Sequence, residues 1–201
     1  MTELLALIFS WQLLLLSLIA QIIVGLLIAD FASGFFHWLE DRYGGPDWPI
    51  VGGLVRATIR HHKKPRRMLN SAFWHRSGPT LLIAVCFGLV FLSLGWLNLM
   101  TITALAFGSM ANEIHNWSHC KPSECGPVVT WLQKKRVFIS PLDHARHHRE
   151  KKNTYYCTVT GWMNPVLERI RFWRKVEAVI RIVARSRPRR DPTVRRRPVL
   201  V

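Results

Sequence analysis

The chain has 201 residues, 49% of them hydrophobic, and sets 28 Lys and Arg against 12 Asp and Glu for a formal net charge of +16. That length bounds it to about one domain, and so much charge segregated from so much apolar sequence excludes an ordinary soluble globular fold. Topology and contact with anionic lipid account for the basic residues, so no nucleic-acid partner is implied.

The first element is the uncharged run Leu4 to Ala29. As a helix it measures about 39 Å, more than the roughly 30 Å hydrocarbon core of a bilayer. The acidic flank Met1, Thr2, Glu3 makes it a retained anchor rather than a cleaved signal. The helix should continue through Phe31 to Leu39 until Gly44, Gly45 and Pro46 stop it, with His37 and Asp41 one turn apart beyond the membrane. A basic loop from Asp47 to Gly78 follows and carries His61, His62 and His75.

The second apolar region, Pro79 to Ala111, is too long for one crossing at about 50 Å and divides near Gly95 and Asn98 into two short spans. Lys and Arg are absent from Ser77 to Trp117. A hairpin therefore puts every basic residue on one face, as the positive-inside rule favours, whereas a single crossing would split them. The expected fold is an all-α integral membrane protein with spans at about 4–29, 79–95 and 98–114. Its N-terminus is outside, and a histidine-rich cap and the C-terminus are in the cytosol. One domain would occupy 1–184, with Pro127 to Arg149 at the membrane interface and a basic, disordered tail over 185–201.

All nine histidines lie in or beside the basic blocks. Residues three, four or seven apart share a helix face. Asn112, His115 and His119 form one stripe, His144, His147 and His148 an HxxHH cluster, and His37 with Asp41 a pair. The doublet His61 and His62 can aim its rings at two different ions. Neutral imidazole binds Zn, Cu, Fe and Ni, and this many histidines exceed the needs of one ion, so two ions sharing the set is the economical reading. Asp41 and Asn112 would support them. The four cysteines, Cys86, Cys120, Cys125 and Cys157, are too scattered to form a framework.

Four stretches together resemble one family. HHxxP at His61 to Pro65, NxxHxWSH at Asn112 to His119, HxxHH at His144 to His148 and YYCTVTGWMNPVLERIRFWRKVE at Tyr155 to Glu177 are similar to motifs of the plasmanylethanolamine desaturases. These are Kua-type lipid desaturases, a group that includes a plant enzyme acting on chloroplast phosphatidylglycerol. The likeness covers about Ala29 to Glu177. It implies a di-iron centre held by His37, His61, His62, His75, His115, His119, His144, His147 and His148, with O2 as co-substrate and no catalytic residue beyond the ligands. Many members carry a further histidine where this chain has Asp143, which makes Asp143 a supporting residue here. The segment Arg149 to Lys152 replaces a proline-containing stretch.

The implied reaction removes two hydrogens from a lipid chain, foremost converting an alkyl ether to the vinyl ether of a plasmalogen. Desaturation of a fatty acyl chain, or hydroxylation, is the alternative within the class. The sequence has no iron–sulfur, haem or nicotinamide motif to supply electrons. A separate cytochrome b5-like or ferredoxin-like donor is therefore expected, docked on Lys63 to Arg67 or Lys134 to Arg136. From other classes, a membrane b-type cytochrome would need histidines inside the apolar runs, a zinc hydrolase would ordinarily show HExxH, and a noncatalytic lipid-binding protein would not need the histidines.

Overall fold

In the computed structural model, residues 2–149 and 152–194 are described; the part of the expected tail from 195 onward lies outside them. Among the described residues the structure is all helical. The helices are α1 (Thr2–Arg42), α2 (Gly52–Lys63), α3 (Phe73–Ser93), α4 (Leu99–Ser109), α5 (Ala111–Trp117), α6 (Pro122–Lys134), α7 (Pro141–His147), α8 (Met163–Arg169) and α9 (Phe172–Val183), with a short 3-10 turn over Pro65–Asn70.

Two helices, α1 and α3, are long and apolar enough to cross a membrane, and α4 is apolar but short. Their side chains point outward: Phe9, Leu16, Leu82 and Leu89 are each more than 60% exposed. Apolar surface this extensive has no aqueous rationale and matches a lipid-facing wall. At 41 residues α1 is about 60 Å long, twice the thickness of a hydrocarbon core, so it is longer than one crossing requires.

The hairpin turns where Gly95 and Asn98 lie. Gly95 takes a positive φ of 68°, which costs glycine least. Asn98 caps α4 by accepting from the Thr101 amide at 3.0 Å, and Thr101 Oγ1 accepts from the Asn98 amide at 2.9 Å. Two boundaries differ from the sequence expectation. Helix α3 begins at Phe73 rather than at residue 79, which places His75 and Arg76 on its first turns. The expected span 98–114 breaks at Met110. There the Ser109 carbonyl accepts from Thr80 Oγ1 at 2.9 Å, and Asn112 donates to the Arg76 carbonyl at 2.7 Å. Hydrogen bonds to α3 thus replace the continuity of one helix, and the chain resumes as α5 through Trp117.

Small residues let α1 and α4 touch. A Cβ on Gly25 would lie 2.5 Å from the Met100 carbonyl oxygen and 2.7 Å from Thr103 Cβ, the close backbone approach by which apolar helices pack. Farther along, Arg76 grips Glu113 with two bonds of 2.7 and 2.9 Å, and Ser77 donates to the same carboxylate at 2.8 Å. This buried cluster ties α3 to α5.

The cap is built on the second half of α1. One core joins Ala29, Ala111, Ile114, Ile139 and Val159; the other joins Trp38, Tyr156, Cys157, Leu167 and Trp173. Trp38 stacks on Trp173 with ring centroids 5.3 Å apart, a contact worth about 1 kcal/mol beyond its buried area. From Lys152 to Trp162, ahead of α8, the chain runs without regular structure along α1 and is held by one carboxylate. Asp30, fully buried, accepts from the amides of Val159, Thr160 and Gly161 through Oδ1 and from Met163 through Oδ2, at 2.8 to 3.1 Å. Asn164 completes the docking by bonding both the amide and the carbonyl of Cys157 at 2.9 Å. From Arg185 to Val194, expected as part of a disordered tail, the chain lacks regular structure but returns across the end of α1.

Candidate metal centre

The fold brings eight of the nine histidines into two adjoining groups. His61, His115, His119, His144 and His148 form one; His37, Asp41, His62 and His147 form the other, and within each group one ligand atom per residue lies within 4.8 Å of all the rest. The sequence doublet is divided, His61 to the first group and His62 to the second. So is the HxxHH cluster. His144 and His148, one turn apart, face the first group, whereas His147 lies a quarter turn away and faces the second. The groups adjoin through His37, whose ring centroid is 5.4 Å from that of His115 and 4.4 Å from that of His147.

In the second group every imidazole is oriented by its far nitrogen. His37 Nδ1 donates to the Tyr156 carbonyl at 3.0 Å, His147 Nδ1 donates to the Thr154 carbonyl at 2.9 Å, and His62 Nδ1 donates to Asp191. This fixes the tautomer and leaves each Nε2 lone pair free. The three Nε2 atoms surround Asp41, at 3.7 Å for His37, 3.7 Å for His62 and 3.4 Å for His147. Both Asp41 oxygens are buried without a hydrogen-bond partner. Burial, helped by the carboxylates of Asp191 and Glu40 and only partly offset by Arg189 and Arg42, raises the Asp41 pKa well above the usual range, so a cation held among these imidazoles would stabilise its charged form.

The first group gives the same indication by a different route. His115 and His144 approach through Nε2 at 2.9 Å, His144 and His148 at 2.9 Å, and His148 and His61 at 3.2 Å. A neutral imidazole nitrogen carries either one hydrogen or one lone pair in the ring plane, so His144 Nε2 can satisfy only one of its two neighbours. Hydrogen bonding alone does not explain the convergence. Two nitrogens bound at right angles to an ion, each about 2.1 Å from it, would be about 3.0 Å apart, which matches the spacing. His119 Nε2 is also buried and unpartnered. Burial and the neighbouring imidazoles hold these rings uncharged: the pKa falls to about 3 for His37, to about 2 for His148 and, with Arg66 adding to the effect, to about 4 for His119. Neutral imidazole is the ligand form. The residues fit two transition-metal ions.

Other expected site residues lie elsewhere. His75 is exposed on the first turns of α3 and joins neither group. Asn112 spends its amide on the Arg76 carbonyl, and Asp143 accepts from Ser140 at 2.8 Å at the start of α7. Asp41, expected as a supporting residue, stands among the imidazoles of the second group. Asp191 and Asp30 were not singled out by the sequence. Asp191 gave no signal, lying in an Arg- and Pro-rich stretch without periodicity. Asp30 gave one, because an acid at the end of a long apolar helix requires partners.

A cavity of about 710 Å³ opens beside the first group. His37, His61 and His115 line one part, and Ile83, Phe87, Phe91 and Leu105 line the part between α3 and α4. Arg60, Arg67 and His75 stand on its walls at the charged side, where Arg60 and Arg67 have no acidic partner among the described residues. Arg76 is already neutralised by Glu113.

A sequence model of the lipid desaturase domain matches residues 26–191. Among curated proteins the chain is similar to plasmanylethanolamine desaturase of Myxococcus xanthus, with 32% identity over 87% of this chain and 64% of that protein. To mouse plasmanylethanolamine desaturase 1 it is 32% identical over 86% of this chain and 68% of the relative. To the chloroplastic fatty acid desaturase 4 of Arabidopsis thaliana it is 31% identical over 82% and 52%. The chain thus spans between half and about two thirds of the length of these relatives. No solved structure matches.

Proposed function

The chain belongs to the lipid desaturase family, and from that premise we propose that it is an O2-dependent membrane desaturase that introduces a double bond into a chain of a phospholipid, foremost an alkyl-ether chain. The observation that carries this reading is the cavity, which joins three metal-group histidines to an apolar passage between membrane helices. His61, His115, His119, His144 and His148 would hold one iron, and His37, Asp41, His62 and His147 the other. Bound iron would supply the redox chemistry, beyond acid–base side chains, that transfers two hydrogens of adjacent methylenes to O2. With two electrons and two protons from outside, the products are the alkene and two waters.

The remaining work falls to the protein. Ile83, Phe87, Phe91 and Leu105 exclude water and align the chain, and Arg60, Arg67 and His75 bind the phosphate. By the positive-inside rule this face is cytosolic, and the electron donor is a separate acidic carrier that meets the basic surface around Lys63 and Lys64. A fatty acyl chain is the second reading, favoured by the names of the chloroplastic relatives.

The test is expression in a host that lacks vinyl ethers, supplied with alkyl-ether phospholipid, followed by mass spectrometry of the lipids. Vinyl-ether lipid is expected. Unchanged vinyl-ether and acyl unsaturation, with iron bound and a working donor, would sink the reading. A finer result concerns the headgroup. The paired substitution Arg60→Ala and Arg67→Ala should raise KM for phospholipid about tenfold, the equivalent of about 1.4 kcal/mol, with kcat within about twofold. An alkylglycerol without phosphate should show no such change, and an equal loss on both substrates would remove the arginines from phosphate recognition.

A further inference from the structure

We infer that residues 189 to 193 form a strap whose Asp191 carboxylate positions His62, so that it controls the second metal group and leaves the first untouched. The inference rests on the two-ion reading above. Asp191 is buried and accepts from His62 Nδ1, on the side of the ring opposite the Nε2 that faces Asp41 and His147. A carboxylate in that place makes the bound imidazole a stronger donor and stops the ring from rotating.

The strap is built to hold the carboxylate still. Asp191 Oδ1 accepts from both the amide and the hydroxyl of Thr193 at 2.6 Å. Lys152 donates to Thr193 Oγ1 and, at 3.4 Å, to the His62 carbonyl. Arg189 fastens the other end to the last turn of α1 and the residues just after it, donating to the Glu40 carbonyl at 3.1 Å and the Gly44 carbonyl at 3.0 Å. Arg42 returns a bond to the Arg189 carbonyl at 3.2 Å. Asp41 and His37 sit on that same end of α1. The strap therefore spans from the helix that carries two members of the group to a third, His62 on α2. None of its hydrogen bonds reaches His61, His115, His119, His144 or His148.

The experiment is titration of the metal-free full chain in detergent with cobalt(II) alone under nitrogen, followed by the visible bands of bound cobalt. The unaltered protein should bind two ions. In Asp191→Ala one ion should bind as before and the other about 10- to 100-fold more weakly, with the bands of only the weakened ion changed. Asp191→Asn, which keeps an acceptor but no charge, should restore part of the loss, and Arg189→Ala should weaken the same ion. Metal-free melting temperatures of the variants separate this from loss of folding; should Asp191→Ala fail to accumulate, Asp191→Asn and Arg189→Ala decide by the same titration. Equal weakening of both ions, or of neither, would overturn the inference. Failure of the unaltered protein to bind cobalt would overturn the two-ion reading itself.

Discussion

Replacing His62 with alanine is expected to lower lipid desaturation about 100-fold or more and to leave about one iron per chain, and replacing its neighbour His61 should lower it as far by disturbing the other ion. The two residues are adjacent in sequence yet serve different groups. Removing His62 leaves three ligands and uncovers two carboxylates, Asp41 and Asp191, that it had faced. On the two-ion reading the second ion would then be held too weakly to survive purification. Removing His61 leaves four nitrogens in the first group, so an ion is retained there with lower affinity and altered surroundings. Loss of a direct ligand should exceed the 10- to 100-fold typical of the groups that merely orient ligands. Iron content per chain, measured beside product formation for each single variant and the double, checks this. If both single variants lost the same ion, the division into two groups would be wrong.

The second large effect is on folding. Asp30→Ala should prevent the protein from accumulating, because it strips the partner from four backbone amides at once. A buried donor left unpaired costs about 1–3 kcal/mol, and four approach or exceed a stability of about 5–15 kcal/mol for a whole domain. Asp30→Asn keeps the shape and one acceptor oxygen but turns an amide toward the Met163 N–H. It should accumulate with a lowered melting temperature and with weaker binding of the second ion, because the docked segment supplies the carbonyls of Thr154 and Tyr156 that orient His147 and His37. A melting temperature for Asp30→Ala within 2 °C or so of the unaltered protein would show that the amides find other partners.

Periodicity and special residues made much of this architecture legible. The long apolar run, the stop at Gly44 and Gly45 and the turn at Gly95 and Asn98 are written locally, in hydrophobicity and in backbone conformations that few residues accept. The helical stripe of His115 and His119 and the pair His37 and Asp41 are likewise local facts. Local spacing, however, says which residues share a face and not what that face meets. It put His144, His147 and His148 together, whereas helix α7 sits between the two groups and turns His147 away from its neighbours. It included His75 by likeness alone, although α3 starts early enough to carry that ring out to the exposed rim. Asp191 was illegible because its meaning depends on a contact with His62 across 129 residues of chain, made by a segment whose composition resembles that of a disordered tail.

The uninterrupted course of α1 has a consequence for the surrounding lipid. One rod carries the apolar run and the candidate ligands His37 and Asp41, with no hinge between them. His37 stands eight residues past Ala29, about 12 Å along the axis. The distance from the apolar run to the histidine groups is therefore a fixed length, and on the membrane-desaturase reading proposed above a change in bilayer thickness would be met by tilt or by a vertical offset between those groups and the lipid. A thicker bilayer would draw the rod inward and a thinner one would leave it standing farther out. On that reading the membrane itself would help decide which carbon the two groups can reach.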